Sequence, residues 1–204
     1  MLAPFDITGD LDTPVSAFMK LAAFQPRFLL ESVEGGERLG RFSFIGFGDG
    51  LEVRLDASGL VIGTERAPVP ANAAALLAAL RTAMARAPRP QPDIAGVPLA
   101  GGLVGFAAYD VVRHFERLPT PAGRTGAVPA LHYVAPSSVL VFDHLTRGVA
   151  LVHAGSEAER RSLRAEVVRA LRGGLPNNRR PGRYAPPAAA FTRADYLAGV
   201  RRTQ

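Results

Sequence analysis

Several residue types that carry common kinds of chemistry are missing or scarce in this chain of 204 residues. It contains no cysteine, which excludes a disulfide framework, a thiolate nucleophile and a zinc or iron site with sulfur ligands. No two of its four histidines stand at the i, i+4 spacing with which one helix face holds a metal ion. The sequence therefore gives little support to a metalloenzyme site in this chain.

Long apolar runs are also missing. No stretch approaches the ~20 apolar residues that are needed to cross a bilayer. Residues 1–6 lack the basic start and the long apolar segment of a secretory signal peptide. We therefore expect a cytoplasmic protein.

The positive charge is almost entirely arginine. The formal net charge is +6, and Lys20 is the only lysine among the 24 basic residues. Alanine is abundant as well, and we attribute both features to the coding bias of the source genome rather than to a phosphate-binding surface. The arginine pairs at 160–161 and 179–180 have no aromatic residues between them, and tryptophan is absent. Since base stacking needs such side chains, we do not expect nucleic acid as a partner.

Four segments carry the signals of helices. Thr13 followed by Pro14 is typical of a helix start, and proline requires this helix to end before residue 26. Asn72 precedes an alanine- and leucine-rich helix over 73–86. Capping patterns at Ser156 and Thr192 predict a third helix, which ends at a pair of glycines, and a short fourth helix. The apolar face of the second helix is predicted to consist of Leu76, Leu77, Leu80 and Met84.

Alternation of polar and apolar residues predicts the strands. Three short strands over 41–45, 51–55 and 60–62 are interpreted as an antiparallel meander that follows a strand over 28–32, and the segments 138–143 and 148–153 are predicted to form a second hairpin. The small residues of 101–109 predict a buried strand that another backbone approaches closely. Four prolines between 88 and 98 predict an exposed connector.

The end of the chain differs in composition from the rest. Residues 176–190 are rich in proline, arginine and alanine and show no periodicity, which is typical of a linker. The short helix that follows has no visible core against which to bury its apolar face. We therefore expect one domain over 1–175, a linker over 176–190 and, over 191–204, the first helix of a further domain, so that the chain is a fragment of a longer protein.

The first candidate site is a polar corner at the end of a predicted strand. Leu30, Glu31 and Ser32 offer a carboxylate, a hydroxyl and backbone amides, and Arg41 returns a guanidinium on the next strand. Such a corner could hold a zwitterion, because its acceptors would meet an ammonium group and the arginine or the amides would meet a carboxylate. From spacing alone, a surface salt bridge and a turn-capping serine are the favoured explanation of these residues.

Three further spots combine residues that could carry chemistry. Glycines 101, 102 and 105 could cradle a phosphate, although close strand packing is favoured because no phosphate-binding motif follows. The polar cluster over 109–116 contains His114 and could supply acid–base groups, or it could anchor a strand end through ion pairs. Asp143 and His144 resemble two members of a hydrolase triad, but neighbours on a strand point to opposite faces and no G-x-S-x-G turn is present.

Several ordered blocks of sequence resemble one enzyme family. The blocks are Phe28–Glu34, Gly40–Gly46, Gly101–Phe106, Tyr109–Glu116, Val141–His144 and Tyr196–Val200. In this order they resemble the N-terminal region of anthranilate synthase component I, and the last block resembles the opening helix of that family's chorismate-binding domain. The resemblance implies an α+β fold with antiparallel sheets and flanking helices.

The resemblance also implies an activity for the whole protein. Members of this family are lyases that convert chorismate and ammonia to anthranilate and pyruvate in tryptophan biosynthesis. They use Mg²⁺, and a glutamine amidotransferase subunit delivers the ammonia. Their catalytic residues and metal ligands lie in the C-terminal domain, so the resemblance places no catalytic residue and no metal ligand in this chain.

What the resemblance does place in this chain is regulation. In the family, the Leu-Leu-Glu-Ser segment lines the allosteric site at which tryptophan inhibits the enzyme, which here corresponds to Leu30, Glu31 and Ser32. Arg41 takes the place of a basic residue of the same pocket. Two alternatives stay open, namely the N-terminal region of aminodeoxychorismate synthase and a stand-alone amino-acid-binding module.

Overall fold

Two long paired strands form the centre of the fold in the computed structural model, which describes residues 4–31, 40–99, 101–118, 128–176, 182 and 184–203. In chain order the strands are β1 (Ile7–Thr8), β2 (Phe28–Leu30), β3 (Phe42–Asp56), β4 (Gly59–Ile62), β5 (Glu65–Ala67), β6 (Val104–Ala107), β7 (Leu131–Asp143) and β8 (Gly148–His153). The helices are α1 (Pro14–Lys20), α2 (Ala73–Arg86), α3 (Glu157–Leu171) and α4 (Arg193–Thr203), with 3₁₀ turns over Ala22–Phe24 and Tyr109–His114.

The strands form one antiparallel sheet in the order β1-β8-β7-β3-β4-β5, with β2 paired to β3 and β6 paired to β7. This confirms the expected α+β fold with antiparallel strands and flanking helices. The meander and the second hairpin belong to the same sheet. The hairpin itself is confirmed, since β7 and β8 pair from Ser138 opposite His153 to Asp143 opposite Gly148.

The predicted strands 41–45 and 51–55 are one strand rather than two. Their ladder with β7 continues through an irregularity between Phe47 and Gly50. Gly48 has a φ of 80°, a backbone conformation that glycine adopts without steric cost. The bulge therefore bends β3 without ending it, and the turn-like glycines that suggested a boundary are absorbed into the strand.

The predicted helix starts are confirmed by their cap geometry. Thr13 Oγ1 accepts a hydrogen bond from the backbone N–H of Ser16 at 3.1 Å, and Asn72 Oδ1 accepts one from Ala75 at 2.9 Å. At the start of α3, Ser156 Oγ accepts from the N–H of Glu159 at 3.2 Å, while the Glu159 carboxylate accepts from the N–H of Ser156 at 2.6 Å. Each cap satisfies a backbone donor that the helix itself leaves unpaired.

One face of the sheet packs against α1 and α3. Ala17 of α1, Leu21 after it and Val167 of α3 form one buried cluster with Ile45 and Phe47 of β3. Because side chains alternate along a strand, the intervening residues of β3 point to the opposite face. That alternation fixes which residues near the candidate corner share a face.

The opposite face is covered by the proline-rich segment that was predicted to be an exposed connector. Ile94 is buried against Phe44 and Val141, and its neighbours Val97 and Leu99 pack on the same cluster. The prediction was wrong because Gln91 exchanges two backbone hydrogen bonds of 2.9 Å with His153. These bonds hold the segment at the edge of β8 and bring its apolar residues over the sheet.

Helix α2 covers the end of the sheet formed by β3, β4 and β7. Leu76 and Ala83 are buried there and Leu80 is partly buried, whereas Leu77 is 38% and Met84 52% exposed. The predicted apolar face was therefore wrong for Leu77 and Met84. The buried residues follow one row at i, i+4 and i+7, and the two exposed side chains stand one residue further round the helix.

Strand β6 lies where the small-residue segment predicted a strand, but it is exposed rather than buried. Phe106 is 43% exposed, because among the described residues β6 pairs only with β7. The predicted close approach of a second backbone is confirmed. A Cβ atom at Gly105 would collide with the carbonyl oxygen of His132 on β7.

The last described segment, residues 184–203, contains no buried residue. Residues 184–190 are exposed and form neither helix nor strand, and α4 begins with the predicted cap, in which the N–H of Asp195 donates to Thr192 Oγ1 at 3.2 Å. No residue of α4 is buried. The division into domains at residues 175 and 190 stays a prediction. Among the described helices, none combines the length and the apolar character of a membrane span.

Candidate functional site

The pairing of β2 with β3 places Leu30 and Arg41 at the same end of one ladder. Leu30, the last residue of β2, lies opposite Phe44, and Glu31 follows it. Arg41 comes directly before β3, so both segments meet at the same end of the ladder. Leu30 is 41% exposed, and Glu31 is exposed as well. Ser32 lies outside the described residues.

Arg41 forms a bidentate ion pair with Asp143, the last residue of β7. Its Nε donates to Oδ1 at 3.0 Å and its Nη2 donates to Oδ2 at 2.7 Å. The side chain of Asp143 is 1% exposed and that of Arg41 is 42% exposed. The pair thus joins a buried carboxylate to a guanidinium whose outer part faces solvent.

The ion pair keeps both groups charged. Hydrogen bonds from Arg41 lower the pKa of Asp143 from its ordinary value, against the effect of burial, and further hydrogen bonds come from the backbone of Leu145 and the side chain of Thr146. In return, the hydrogen bond to Asp143 raises the pKa of Arg41. Burial of an unpaired carboxylate would favour its protonated form, so these hydrogen bonds, above all those from Arg41, favour the ionised form of Asp143.

The aromatic ring of Phe42 lies under the guanidinium. The Cζ atom of Arg41 is 4.8 Å from the centroid of the Phe42 ring, which is within the range of a cation–π contact. The ring of Phe42 lies 6.3 Å from that of Phe44. Sequence reasoning missed Phe42 as a part of this corner. The signal was present in the alternation of Arg41-Phe42-Ser43-Phe44, which places both phenylalanines on one face.

Asp143 and His144 are neighbours with different partners. His144 Nε2 lies 2.7 Å from the hydroxyl of Ser43, which is fully buried, and the N–H of His144 donates to the carbonyl of Arg41 at 2.9 Å. The carboxylate of Asp143 accepts from Arg41 and Leu145 instead. This arrangement differs from a hydrolase triad, in which the carboxylate would orient the histidine. Its effect is to tie Arg41 to the β7–β8 turn.

The glycine-rich strand and the polar cluster over 109–116 have structural roles in the described residues. Gly105 is a position of close strand packing, as favoured from the sequence. In the cluster over 109–116, Arg113 Nε donates to Asp110 at 3.1 Å within a 3₁₀ turn, and Arg113 Nη1 donates to the carbonyl of Leu118 at 3.2 Å. Ion-paired anchoring therefore describes this cluster better than acid–base chemistry.

A metal site is not formed by the part of the chain that the structure describes. No group of three or more histidine, aspartate or glutamate side chains is arranged there to hold an ion. The described residues thus do not fit the Mg²⁺ that the resemblance implies for the whole protein.

A cavity lies at the bulge of β3. A cavity of about 320 Å³ is lined by Phe24, Phe47 and Leu163 on its apolar side and by Arg27, Asp49, Ser138 and His153 among its polar groups. Sequence reasoning missed this cavity, because its walls come from five separate segments. Its mixture of apolar and charged walls would also suit a small amino acid.

Several proteins that are similar to this chain in sequence share the same name. The chain is 42% identical over 200 residues to "Anthranilate synthase component 1" of Thermus thermophilus, a match that covers 95% of this chain and 41% of the relative. It is 34% identical to the protein of the same name from Pseudomonas aeruginosa, with 97% of this chain and 43% of the relative covered. The chain thus spans about two fifths of the length of these relatives. No protein-family model matches it.

A solved structure supports the same fold. The crystal structure of anthranilate synthase component I from Streptococcus pneumoniae matches 87% of this chain and 38% of its own length, with a TM-score of 0.54. The sequence identity over this match is 23%, so the comparison bears on the fold alone.

Proposed function

Because the chain belongs to the anthranilate synthase component I family, we propose that it is the tryptophan-sensing part of an anthranilate synthase. In this proposal the whole protein converts chorismate and ammonia to anthranilate and pyruvate, and this chain supplies no catalytic residue. The chorismate site and the Mg²⁺ ligands belong to a part of the protein beyond this chain. A glutamine amidotransferase subunit is the proposed source of ammonia.

The observation that carries the regulatory proposal is the guanidinium of Arg41, which Asp143 holds in place at the same end of the β2–β3 ladder as Leu30. Arg41 is held by Asp143 and by the ring of Phe42, and it lies at the end of the ladder where Leu30 is exposed. A carboxylate would bind the guanidinium, and the ammonium group of the same ligand would find an acceptor in Glu31. These groups match the two charged ends of a free amino acid.

The indole ring of tryptophan would need an apolar wall. Leu30 and Phe42 supply a part of that wall, and we propose that the rest comes from the catalytic domain. An effector that bridges two domains inhibits only if it binds one of their arrangements more tightly than the other. Tryptophan would therefore act by stabilising an arrangement of the two domains in which the catalytic site is less active.

Inhibition assays on the whole protein test this proposal. We expect tryptophan to inhibit the wild-type protein and Ser32→Phe to weaken the inhibition, because the larger side chain would fill the mouth of the pocket. Leu77→Ala, at an exposed position of α2, serves as a control that should respond like the wild type. An unchanged inhibition constant in Ser32→Phe would remove Ser32 from the site, and a wild-type protein insensitive to tryptophan would overturn the regulatory role.

Two alternatives make different predictions. An aminodeoxychorismate synthase would release no anthranilate from chorismate and ammonia, and analysis of the reaction product distinguishes the two. A stand-alone amino-acid-binding module would use this chain alone, for which the cavity at the bulge of β3 offers a place. We expect weak or undetectable tryptophan binding to the chain alone, whereas micromolar affinity in calorimetry that is lost in Leu163→Trp would favour the module.

A further inference from the structure

We propose that Asp143 is a positioning residue of the tryptophan site, which orients Arg41 so that one defined edge of its guanidinium meets the carboxylate of the effector. This inference rests on the proposed function, because it concerns the same site. Asp143 itself is buried and would not touch the ligand. Its role would be exerted through Arg41.

The stereochemistry of the pair defines the edge. A guanidinium has five N–H groups in one plane, and a carboxylate can bind either the edge of Nε and one Nη atom or the edge of the two Nη atoms. Asp143 occupies the first edge through Nε and Nη2. Both N–H groups of Nη1 and one of Nη2 point away from Asp143, and no described residue accepts a hydrogen bond from Nη1. Within the described part of the chain, the Nη1–Nη2 edge is therefore the one that a second carboxylate could bind.

The position of that edge is determined by the β7–β8 turn. The carboxylate of Asp143 is itself held by the N–H of Leu145 at 3.1 Å. The backbone of Arg41 is held by the N–H of His144 at 2.9 Å, and the His144 ring lies 2.7 Å from the buried hydroxyl of Ser43. Both ends of the arginine side chain are thus tied to the same turn. Because a long, half-exposed arginine otherwise samples many rotamers, this fixation lowers the entropy cost of binding a ligand.

The same geometry explains why arginine suits this position. A lysine could satisfy Asp143 or a ligand carboxylate with its single ammonium group, but it has no second planar edge. The guanidinium can bind both carboxylates at once, one on each edge. Asp143 also partly neutralises the positive charge, so selection of the ligand depends on the geometry of the free edge more than on net charge.

A double-mutant cycle on the whole protein tests the inference. The variants are Asp143→Asn, Arg41→Ala and the double variant, and the readout is the inhibition constant of tryptophan, with kcat and the KM for chorismate measured alongside. We expect Asp143→Asn to weaken inhibition roughly tenfold, because Arg41 loses its charged partner and its fixed orientation. In the Arg41→Ala background the second substitution should add little, since it acts through the same guanidinium.

A matched control comes from a second arginine–aspartate pair. Arg164 Nε donates to Asp6 at 2.9 Å, and the two side chains are 25% and 11% exposed. Asp6 lies just before β1, from which β3 is separated by β8 and β7. Asp6→Asn should leave the tryptophan inhibition constant unchanged. An equal effect of Asp6→Asn would show that general loss of stability, and not the orientation of Arg41, explains the result, which would overturn the inference.

The remaining outcomes separate this inference from the proposed function. If tryptophan does not inhibit the wild-type protein, both fail. If Ser32→Phe and Arg41→Ala weaken inhibition but Asp143→Asn does not, only the role of Asp143 fails. Additive effects in the double variant also overturn it, because Asp143 would then act without Arg41. Asp143→Glu, which keeps the charge but moves the carboxylate by one methylene group, repeats the test if the asparagine variant does not fold.

Discussion

The two partners of the Arg41–Asp143 pair should contribute unequally to stability, and the difference can be derived from their burial. Arg41→Ala leaves a carboxylate that is 1% exposed without its charged partner, whereas Asp143→Asn leaves a guanidinium that is 42% exposed and that water can solvate. An unpaired buried charge is far more costly than an unpaired exposed one. The arginine substitution should therefore be the more damaging.

The magnitudes follow from the same comparison. Removing one partner of a fully buried pair costs about 3–5 kcal/mol. Because water reaches the Arg41 side, we expect about 2–3 kcal/mol for Arg41→Ala. For Asp143→Asn we expect about 1 kcal/mol, since the amide keeps a hydrogen-bond acceptor and Arg41 regains hydration. In a chain of 204 residues, each kcal/mol corresponds to a shift in Tm of about 2–4 °C.

Thermal unfolding of the two variants, followed by circular dichroism at pH 7 and at pH 4, measures this difference. In the wild type, Arg41 lowers the pKa of Asp143, so the stabilisation is present above the ordinary pKa of an aspartate and is lost as the pH falls through the lowered value. In Arg41→Ala, burial should raise the pKa of Asp143. At low pH the carboxylate should then be protonated, which removes the cost of burying an unpaired charge. The gap in Tm between wild type and Arg41→Ala should therefore narrow from pH 7 to pH 4.

Two results would refute this reasoning. Asp143→Asn could prove as destabilising as Arg41→Ala or more so, which would mean that hydration does not rescue the exposed guanidinium. Alternatively, the gap in Tm between wild type and Arg41→Ala could stay constant with pH. The cost of that substitution would then come from lost packing against Phe42 rather than from a buried charge.

Two further predictions concern the fold. Leu76→Ala should lower the free energy of unfolding by about 2–5 kcal/mol. Leu77→Ala, at the neighbouring position of α2, should change it by less than about 0.5 kcal/mol, because only the side chain of Leu76 is buried. Equal changes of the two variants in urea unfolding would contradict the assignment of the buried row. Hydrogen bonds from two arginines of α3 lower the pKa of Glu157 to about 2, so its stabilising effect is complete above its ordinary pKa and declines as the pH falls towards 2. The difference in Tm between wild type and Glu157→Gln should accordingly shrink on acidification below about pH 5, and a difference independent of pH would show that the ion pairs contribute nothing.

Local signals in the sequence predicted most of the elements correctly. Helix starts depend on one side chain and a backbone N–H three residues away, so Thr13, Asn72 and Ser156 predict them without any knowledge of the fold. Predicted burial was less reliable. Ile94 in the proline-rich segment is buried and Phe106 of β6 is exposed, because burial depends on which segments cover which faces of the sheet.

In the candidate corner, too, some residues could be predicted from local sequence and others depended on the whole fold. Leu30, Glu31 and Arg41 could be grouped from the sequence, since a short strand and its antiparallel neighbour return to the same end. The sequence analysis did not group Asp143 with Arg41, because the two residues lie 102 positions apart in the chain. No periodicity or cap signal connects residues so far apart.

The sequence by itself thus determined the four helices and most of the strands, the alternation that places Phe42 beside Phe44 and the family resemblance. Only the tertiary structure decided that β3 and β7 lie side by side, that β3 continues through its bulge and that Asp143 takes one edge of Arg41. The physical reason is the separation along the chain over which each kind of interaction acts. Caps and alternation act over a few residues of the chain, whereas an ion pair between two strand ends exists only after the whole sheet has set their register.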